Sequence, residues 1–510
     1  MIKTVQKRNG ELVAYDSSKI KNAIQRANGQ IDYYLQISDK QVDELVSDVE
    51  QNLRNDCPTV EEIQDTVINC IIKRNYSELA KVYIVYRHDK SKVSKGVRES
   101  IITLVNGSNK DVMEENSNKN ATVASTQRDL IAGEVSKDMV KRDLLPKKIV
   151  QAHENGVLHF HDADYFLQPI FNCCLVNVKD MLENGTVMNG KMIETPKSFQ
   201  VACTIMTQII AAVASGQYGG QSVKVSHLGR FLAMDYEKNL KTIRKEDDSL
   251  SDEQVEKLAR ARTKENLKAG VQTIQYQINT LMTTNGQTPF VTLFLHLDES
   301  LGYVEEQAEI IREILEQRIE GMKNECGVYV TPPFPKLIYV LDENNCLKGG
   351  KYDWLTKLAV KCSAKRMYPD YISAKKMREN YDNEVFSCMG CRSFLSPWKD
   401  ENGNYKWEGR FNQGVVSLNL PQIGIIAKGD PYKFWQLMEE RTSLCFEALM
   451  CRHKALLGTK SDISPIHWQY GAIARLKKGE VIDPLLKDGY STLSLGYIGL
   501  YEVTKLMTGE

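Results

Sequence analysis

Two cysteine-bearing segments carry the residue types best suited to chemistry. The segment SCMGCRSFL at 387–395 places Cys391 on a short glycine-containing loop between two apolar, strand-like runs, and FNCCLV at 171–176 places Cys173 inside another such run. A loop of this kind can hold a sulfur still beside a substrate. Because folding could bring the two sulfurs together across one pocket, the pair indicates redox or radical chemistry.

The elements that must position these cysteines follow from the hydrophobic pattern after about residue 126. Strand-like runs alternate there with longer helical patterns, which predicts an α/β body with substantially parallel strands. Periodicity alone does not distinguish a barrel from an open sheet. The strand-like runs are at 158–160, 173–178, 292–297, 337–341 and 415–420, and the helical patterns are at 199–214, 305–325 and 432–451.

The first 95 residues predict a separate, mainly helical unit. Asn9-Gly10 is a strong hairpin-turn signal, Asp16-Ser17-Ser18 can cap one helix, and Pro58-Thr59 opens another. The polar stretch at 105–125 is typical of a linker or loop. We therefore expect a separate unit at 1–95, a linker at 96–125, and the α/β body at 126–510.

Composition narrows the classes of partner. The 510 residues contain 66 Lys+Arg and 66 Asp+Glu, so no bulk charge favours binding to nucleic acid or to an acidic membrane surface. The twelve cysteines form no compact framework, the N-terminus lacks the apolar core of a secretory signal, and the apolar stretches fall short of the roughly 20 residues that span a bilayer. These features predict a cytoplasmic protein without a nucleic-acid or membrane partner.

The N-terminal unit resembles the ATP-cone, a regulatory nucleotide-binding module. The matching segments are VQKRNG at 5–10, YD at 15–16, KI at 19–20, AI at 23–24 and YR at 86–87. The resemblance implies activation by ATP and inhibition by dATP at this unit. Several donors must converge on a triphosphate. The nucleotide-binding residues that we expect are Lys7, Arg8, Asn9, Gly10, Lys19 and Arg87, with Gln64 as an adenine contact.

The body resembles the large component of the class III, or anaerobic, ribonucleoside-triphosphate reductases, a glycyl-radical family. The matching segments run in order over nearly the whole chain: HDADYF at 161–166, FNCCL at 171–175, QYGGQ at 217–221, MGCRS at 389–393, GRFN at 409–412, SPIHWQ at 464–469 and SLGYIGLYE at 494–502. The resemblance implies a ten-stranded α/β barrel with an inserted finger loop. It also implies an enzyme that converts ribonucleoside triphosphates to deoxyribonucleoside triphosphates.

Three residues match catalytic positions of that family. Cys391 aligns with the cysteine whose thiyl radical takes hydrogen from the ribose 3′ carbon, and Cys173 aligns with the partner cysteine across the sugar. Asn412 matches the asparagine of formate-using members. Because an amide cannot accept a proton as a carboxylate does, this asparagine implies formate as co-substrate and reductant. Simpler interpretations stay open, since cysteines usually pack in cores and an asparagine can satisfy a loop backbone.

Small residues at 494–499 indicate a phosphate site. Ser494, Gly496 and Gly499 are predicted to form a turn ahead of a helix at 500–507. The N-terminus of that helix would bind the substrate triphosphate through backbone N–H groups. Alternatively, the glycines simply permit close packing.

Cys388 and Cys391 form a C-x-x-C pair, in which we favour a structural role for Cys388 over a redox role. There is no second C-x-x-C, and the eight histidines show no metal spacing, so no metal ligands are predicted in this sequence.

The family's four-cysteine zinc site and its Arg-Val-x-Gly-Tyr glycyl-radical loop are not found. We expect zinc and the radical glycine outside this sequence, and we expect these 510 residues alone to bind nucleotides without turnover. The resemblance further implies a radical-SAM iron-sulfur activating protein as partner, and a homodimer or higher oligomer.

Two other functions are compatible with parts of the sequence. A non-catalytic nucleotide-sensing regulator is one, because ATP-cones also occur on other scaffolds; the neutral charge and the lack of a DNA-reading motif count against it. Another glycyl-radical enzyme, such as a diol dehydratase or a formate lyase relative, is the second. The ATP-cone counts against that function, because such enzymes have no evident need to sense adenine nucleotides.

Overall fold

The computed structural model of the chain describes residues 4–6, 12–106, 119–284, 286–390 and 393–509, apart from the side chains at 33, 85–96 and 98–99. It divides into two compact units, Met1–Ile102 and Thr103–Glu510. The helix Ser77–Val105 includes the first residues of the expected linker at 96–125, and residues 107–118 lie outside the described ones. The boundaries expected at 95 and 125 stay predictions.

The first unit combines helices with one short antiparallel strand pair. Its strands pair as the Asn9-Gly10 signal predicts, although the turn itself lies outside the described residues. Thr59 begins one helix with a capping box, because its hydroxyl accepts the N–H of Glu62 while the Glu62 carboxylate accepts the N–H of Thr59. The apolar faces of the helices meet in one core. The elements are β1 (Thr4–Gln6), β2 (Leu12–Ala14), and the helices Ser18–Asn28, Asp39–Asn52, Val60–Lys73 and Ser77–Val105.

Long helices of the second unit begin where the sequence supplies a capping side chain. Ser198, Ser251 and Asp430 each accept a backbone N–H from the first turn that follows them. Among the described residues, every helix is too short or too polar to span a lipid bilayer. The helices are Ala124–Met139, Lys147–Glu154, Val178–Asn184, Phe199–Ala214, Gly229–Glu246, Asp252–Thr280, Val304–Glu320, Glu343–Cys346, Asp353–Arg366, Ala374–Asn380, Leu420–Ala427, Pro431–Leu456, Pro465–Trp468 and Leu500–Thr508.

The strands of the second unit form one large sheet and two small hairpins. In chain order they are β3 (Leu158–Phe160), β4 (Cys173–Leu175), β5 (Thr186–Met188), β6 (Lys191–Ile193), β7 (Gln221–Lys224), β8 (Val291–Leu295), β9 (Met322–Lys323), β10 (Tyr329–Val330), β11 (Lys336–Leu341), β12 (Asp370–Ser373), β13 (Arg410–Asn419) and β14 (Thr492–Ile498). Over the described residues, the large sheet has eight strands in the order β12-β11-β8-β7-β4-β13-β14, with β3 also paired to β13.

Strand direction divides the large sheet into two parts. The five strands from β12 to β4 are parallel to one another, as the α/β pattern predicts. β13 then runs antiparallel to β4 and to β3, and parallel to β14. The expected α/β class is therefore confirmed, and the strand pair β4–β13 joins the two parts.

The two faces of the parallel part pack against different partners. Successive residues of β8 point to opposite faces, so Leu293 and Leu295 enter the largest core, which the outer helices close. Phe294 points to the other face and packs with Cys388. Cys388 belongs to the segment 381–409, between the helix Ala374–Asn380 and β13, which we call the finger. The finger therefore packs on the face of the sheet that lies away from the outer helices.

Candidate active site

The junction of β4 and β13 brings two of the expected catalytic residues together. Cys173 and Asn412 are register partners in this antiparallel pair, and directly opposed side chains lie on the same face of a sheet. The side chain of Asn172 contacts both residues. Its Nδ2 donates to Oδ1 of Asn412 at 3.3 Å, and its Oδ1 accepts the thiol of Cys173 at 3.3 Å.

Two glycines next to β7 allow other backbone to approach Cys173. The N–H of Gly220 donates to Sγ of Cys173 at 3.2 Å. A Cβ atom placed on Gly219 would lie 2.6 Å from that sulfur, and one on Gly220 would lie 2.8 Å from Cα of Gly390. Both positions therefore require glycine. Neither glycine was predicted as a site residue, although both belong to the segment QYGGQ at 217–221, which matches the family.

The finger has a tight turn at its tip. Met389 and Ser393 pair across it, because the N–H of Met389 donates to the carbonyl of Ser393 at 2.7 Å and the N–H of Ser393 donates back at 3.3 Å. Gly390 has φ of +47°, which glycine adopts without strain. Cys391 and Arg392, between these residues, lie outside the described ones.

Hydroxyl groups of the sheet hold the described part of the finger tip. Ser222 on β7 donates to the carbonyl of Cys388 at 2.6 Å, and Thr292 on β8 donates to the carbonyl of Gly390 at 3.2 Å. A Cβ atom on Gly390 would be 3.3 Å from Sγ of Cys173. Gly390, the residue that precedes Cys391 in the chain, therefore lies close to Cys173.

Cys388 is fully buried in an apolar cluster with Phe294, Ile338 and Val340. Burial in such a cluster is the usual environment of a cysteine that only packs. The structural role that we favoured for Cys388 agrees with this position.

Hydrogen bonds to side chains fix the amide of Asn412. Its Nδ2 donates to Oγ of Ser494 at 2.8 Å and to Oγ1 of Thr492 at 3.1 Å, and the residue is 1% exposed. Asn412 lies inside β13, so the alternative role as a loop residue that satisfies a nearby backbone does not apply. The amide orientation is fixed from both sides.

A large cavity opens beside these residues. Its volume is about 1070 Å³, which slightly exceeds the roughly 300–1,000 Å³ typical of small-molecule sites. The groups of the preceding paragraphs that line it come from three parts of the chain: Asn172, Cys173, Gly219, Gly220, Met389 and Ser393. The cavity therefore has the cysteine and the finger tip in one wall.

The predicted turn at Ser494, Gly496 and Gly499 is wrong in part. Ser494 and Gly496 lie in strand β14, and only Gly499, with φ of +74°, stands directly before the helix Leu500–Thr508. A Cβ atom on Gly496 would be 2.7 Å from Oγ of Ser417, and one on Gly499 would be 2.1 Å from Pro421. Close packing thus accounts for both glycines. None of the three predicted residues is among the described residues that line the cavity.

A polar cluster occupies another wall of the cavity. Nζ of Lys119 donates to the hydroxyl of Tyr165 at 2.8 Å and to Oδ2 of Asp129 at 3.0 Å, and the Tyr165 hydroxyl also donates to Asp129 at 3.0 Å. Burial, with Asp129 close by, holds the pKa of Tyr165 well above its usual value. The Tyr165 ring stacks on Tyr218, with centroids 5.7 Å apart. Three further lysines line the same cavity: Lys137, Lys141 and Lys336.

His161 of the HDADYF segment is a neutral part of the cavity wall. Burial, followed by the nearby His159 and Arg452, lowers the pKa of His161 to about 4. Nε2 of His161 lies 2.8 Å from Oγ of Ser417. The described residues contain no group of three His, Cys, Asp or Glu side chains that could hold a metal ion. His161 therefore shapes the cavity through its hydrogen bond to β13.

The first unit has a cavity of its own, of about 250 Å³, lined by Tyr15, Lys19, Gln64 and Tyr83 among others. Oε1 of Gln64 is buried and has no hydrogen-bond partner in the described part of the chain. Two of the expected nucleotide-binding residues, Lys19 and Gln64, thus meet at one cavity. The others fall outside the description: Lys7, Arg8, Asn9 and Gly10 as whole residues, and Arg87 by its side chain.

Comparisons with known proteins agree with the motifs and with the fold. Residues 115–510 match the family model "Anaerobic ribonucleoside-triphosphate reductase", and residues 3–92 match the ATP cone domain. The chain is 39% identical to an anaerobic ribonucleoside-triphosphate reductase of Salmonella typhimurium, over 99% of this chain and 70% of that protein. It is 42% identical to the enzyme of the same name from Enterobacteria phage T4, over 81% of this chain and 68% of that protein.

A solved structure supports the fold. The anaerobic ribonucleotide reductase from Thermotoga maritima, in complex with dATP and CTP, superposes with a TM-score of 0.55 at 14% identity, covering 83% of this chain and 68% of that one. This similarity confirms the barrel type of α/β fold that we expected. The match over residues 115–510, together with the relatives above, shows that this chain belongs to the anaerobic ribonucleoside-triphosphate reductase family and carries an ATP-cone domain.

Proposed function

We propose that this enzyme reduces ribonucleoside triphosphates to deoxyribonucleoside triphosphates, with the sulfur of Cys391 taking hydrogen from the ribose 3′ carbon. The observation that supports this most is the close approach of Gly390 to Cys173 beside the cavity of about 1070 Å³, since a Cβ atom on Gly390 would lie 3.3 Å from the sulfur. A nucleotide in that cavity would lie between the finger tip and β4. Fixed geometry of this kind contributes much of the rate of a hydrogen transfer.

The overall reaction removes the ribose 2′-hydroxyl as water and needs two electrons. We propose that formate supplies them and leaves as carbon dioxide. The support is Asn412, whose amide cannot take up a proton and is already bonded to Ser494, Thr492 and Asn172. With no carboxylate at that position, formate would act as both base and reductant.

The chain's own residues position and protect the reacting groups. The N–H of Gly220 donates a hydrogen bond to the sulfur of Cys173 and so fixes its position in the cavity wall. Ser222 and Thr292 hold the carbonyls of Cys388 and Gly390, two residues that come shortly before Cys391 in the chain. Phe290 and Met389 also line the cavity and would exclude water from a radical intermediate. A glycyl radical, generated by a radical-SAM iron-sulfur activating protein as partner, would supply the unpaired electron.

Two further parts of the proposal concern nucleotide binding. The triphosphate of the substrate is assigned to the N-terminus of the helix Leu500–Thr508 at Gly499, with Ser494 and Gly496 on the strand that leads to it. ATP and dATP are assigned to the cavity of the first unit, through Lys19 and Gln64, which line it. The resemblance to the ATP-cone adds Lys7, Arg8, Asn9, Gly10 and Arg87 to this assignment. We also propose a homodimer in the cytoplasm, where reduced cysteines are the rule.

Replacing Cys391 by Ser in the longest natural version of the gene product tests the proposal. With activating protein, S-adenosylmethionine and formate, deoxynucleotide formation should be lost, while dATP binding to the first unit should stay unchanged. A nucleotide-sensing regulator would show no deoxynucleotide formation before the substitution. Titration with CTP, UTP, ATP and GTP is the second test, because failure of every ribonucleotide to bind would contradict the proposed substrate class.

A further inference from the structure

A second polar cavity lies at the other end of the parallel strands. Its volume is about 660 Å³. Lys224 ends β7, His296 follows β8, and Asp342 follows β11, so this cavity is at the carboxyl ends of the strands. The active-site cavity is at the amino ends, where Gly220 precedes β7 and Phe290 precedes β8. The two cavities share none of their described lining residues, and we call the second one the carboxyl-end cavity.

Two ion pairs are built into the wall of the carboxyl-end cavity. Nζ of Lys224 is 2.5 Å from Oδ2 of Asp298. Arg378 donates through both terminal nitrogens to the carboxylate of Asp342, at 2.7 and 2.6 Å. These pairs neutralise four of the charged lining groups. The charged groups that remain are one cation, Lys179, and four carboxylates, Glu299, Glu343, Glu384 and Glu408, so the lining is net negative.

Two deeply buried histidines line this cavity with nitrogens that lack hydrogen bonds. His227 is 9% exposed and His296 is 5% exposed, and Nδ1 of each has no hydrogen-bond partner in the described part of the chain. Nε2 of His296 is 3.6 Å from Asp342, and Nε2 of His227 is 4.0 Å from Glu408. A neutral imidazole keeps its proton on the nitrogen that faces a carboxylate. Each Nδ1 therefore presents a lone pair.

The two histidines are neutral near pH 7. A third residue, Asn344, also has a buried polar atom that lacks a hydrogen-bond partner in the described part of the chain. Burial, opposed by the nearby Glu408, lowers the pKa of His227 to about 4, and burial also lowers the pKa of His296. Oδ1 of Asn344 is buried beside the same cavity without a hydrogen-bond partner among the described residues. Buried polar atoms without partners are rare in folded proteins. Four of them belong to residues that line this cavity: Nδ1 of His227, both ring nitrogens of His296 and Oδ1 of Asn344. With the proton of each imidazole on Nε2, the two Nδ1 atoms and the amide oxygen are acceptors.

We propose that the carboxyl-end cavity binds a small cation that presents several hydrogen-bond donors to Asn344, His227, His296 and Glu408. An aliphatic polyamine and a fully hydrated magnesium ion share this chemistry. An anion does not fit, because the lining is net negative and offers lone pairs rather than donors. Direct coordination of a metal does not fit either, because the described residues bring no three suitable ligands together.

Both ends of the finger line this cavity, so a ligand bound there would contact both ends. Glu384 lines it where the finger begins, and Trp407 and Glu408 line it where the finger returns to β13. Nε1 of Trp407 donates to Oε2 of Glu384 at 2.8 Å, so the two ends already touch. A donor-rich cation between Glu384 and Glu408 would hold the base of the finger closed.

Isothermal titration calorimetry on the whole chain tests the proposal, with spermidine, magnesium chloride and inorganic phosphate titrated separately. Spermidine or magnesium should bind saturably, and Glu408→Gln should weaken that binding about tenfold or more, because it removes a charged acceptor. Glu316→Gln is the matched control: its exposed carboxylate pairs with Arg312 on an outer helix, so it should leave binding unchanged.

The remaining outcomes are decisive in either direction. Binding of spermidine that excess magnesium does not displace assigns the site to an organic cation, whereas binding of magnesium alone assigns it to the hydrated ion. No saturable binding of either cation to the unsubstituted chain would overturn the proposal, and so would equal binding by Glu408→Gln and Glu316→Gln. Thermal unfolding without ligand shows whether each variant is folded, and His227→Phe, which removes one lone pair, is a second variant that should weaken binding.

Discussion

Asn412 stands directly opposite Cys173 across the antiparallel strands β4 and β13, and Asn172 is hydrogen-bonded to both side chains. The register of this pair decides which of two adjacent cysteines meets the cavity. Cys174 points to the opposite face, where it is fully buried and its thiol donates to Gln217 at 3.0 Å. A slip of one residue would exchange the two sulfurs, so the pairing of these strands is itself part of the active site.

We expect Gly220→Ala to abolish most of the activity while leaving the chain folded. The added Cβ would lie 2.6 Å from the ring of Phe290 and 2.8 Å from Cα of Gly390, so the finger tip must shift. A displacement of about 1 Å at a reacting group can cost about a hundredfold in rate. Deoxynucleotide formation by the longest natural gene product measures the effect. Gly29→Ala is a suitable control, since its Cβ would meet only ordinary contacts, and an unchanged rate for Gly220→Ala would contradict the proposed site.

We expect Asn412→Ala to destabilise the chain by about 1–3 kcal/mol, because it leaves buried polar partners without hydrogen bonds. The partners are Asn172, Thr492 and Ser494. Urea unfolding gives the change in the free energy of unfolding. Ser494→Ala removes only one of these hydrogen bonds and should cost less. Equal losses for the two variants would show that the network is not centred on Asn412.

The buried His467 should make stability depend on pH. Burial lowers the pKa of His467 from 6.5 to about 3 in the folded chain. Between these values the unfolded chain binds more protons, so the free energy of unfolding falls as the pH falls. The expected loss is about 1.4 kcal/mol for each pH unit below about 6. Urea unfolding of His467→Gln at pH 7 and pH 5 should show a smaller change than the unsubstituted chain, and parallel changes would refute the assignment.

Gln64 should contribute to the affinity of the first unit for adenine nucleotides. Its buried Oε1 has no hydrogen-bond partner among the described residues and needs a donor, which the exocyclic amine of adenine provides. We expect Gln64→Leu to weaken dATP binding about tenfold, because it removes that acceptor, and Gln64→Glu to retain more of the affinity. Calorimetric titration with dATP tests this expectation. Binding of CTP to the second unit should be the same in all three chains, and undiminished dATP binding by Gln64→Leu would contradict the role.

Residue patterns carried enough information to predict the α/β class, and the fold places two of the predicted site residues, Cys173 and Asn412, opposite each other. Strands β8 and β11 are buried, strand-like runs between helices, which is the pattern of a covered parallel sheet. The direction of β13 was not predictable, because it depends on how the finger connects the two parts of the sheet. The small residues Ser494 and Gly496 predict a turn by composition. They lie instead in a strand, because β14 pairs with β13 over these positions.

Other functional features left no signal in the sequence. His227 and His296 are far apart in the chain and follow no metal-binding spacing, so only the fold brings them to one cavity. The role of Gly220 depends on the arrival of Gly390 from a distant segment. Contacts of this kind come from tertiary packing, and local propensity does not encode them.

The hydroxyls of Ser222 and Thr292 make the finger tip behave as part of the sheet. Loops usually fluctuate independently of their scaffold, and their amide hydrogens then exchange quickly with solvent. Here the carbonyls of Cys388 and Gly390 accept from two adjacent parallel strands. The amide hydrogens of Met389 and Ser393 should therefore exchange with deuterium as slowly as those of β7 and β8. Heat or denaturant would free this loop only by opening the sheet that holds it.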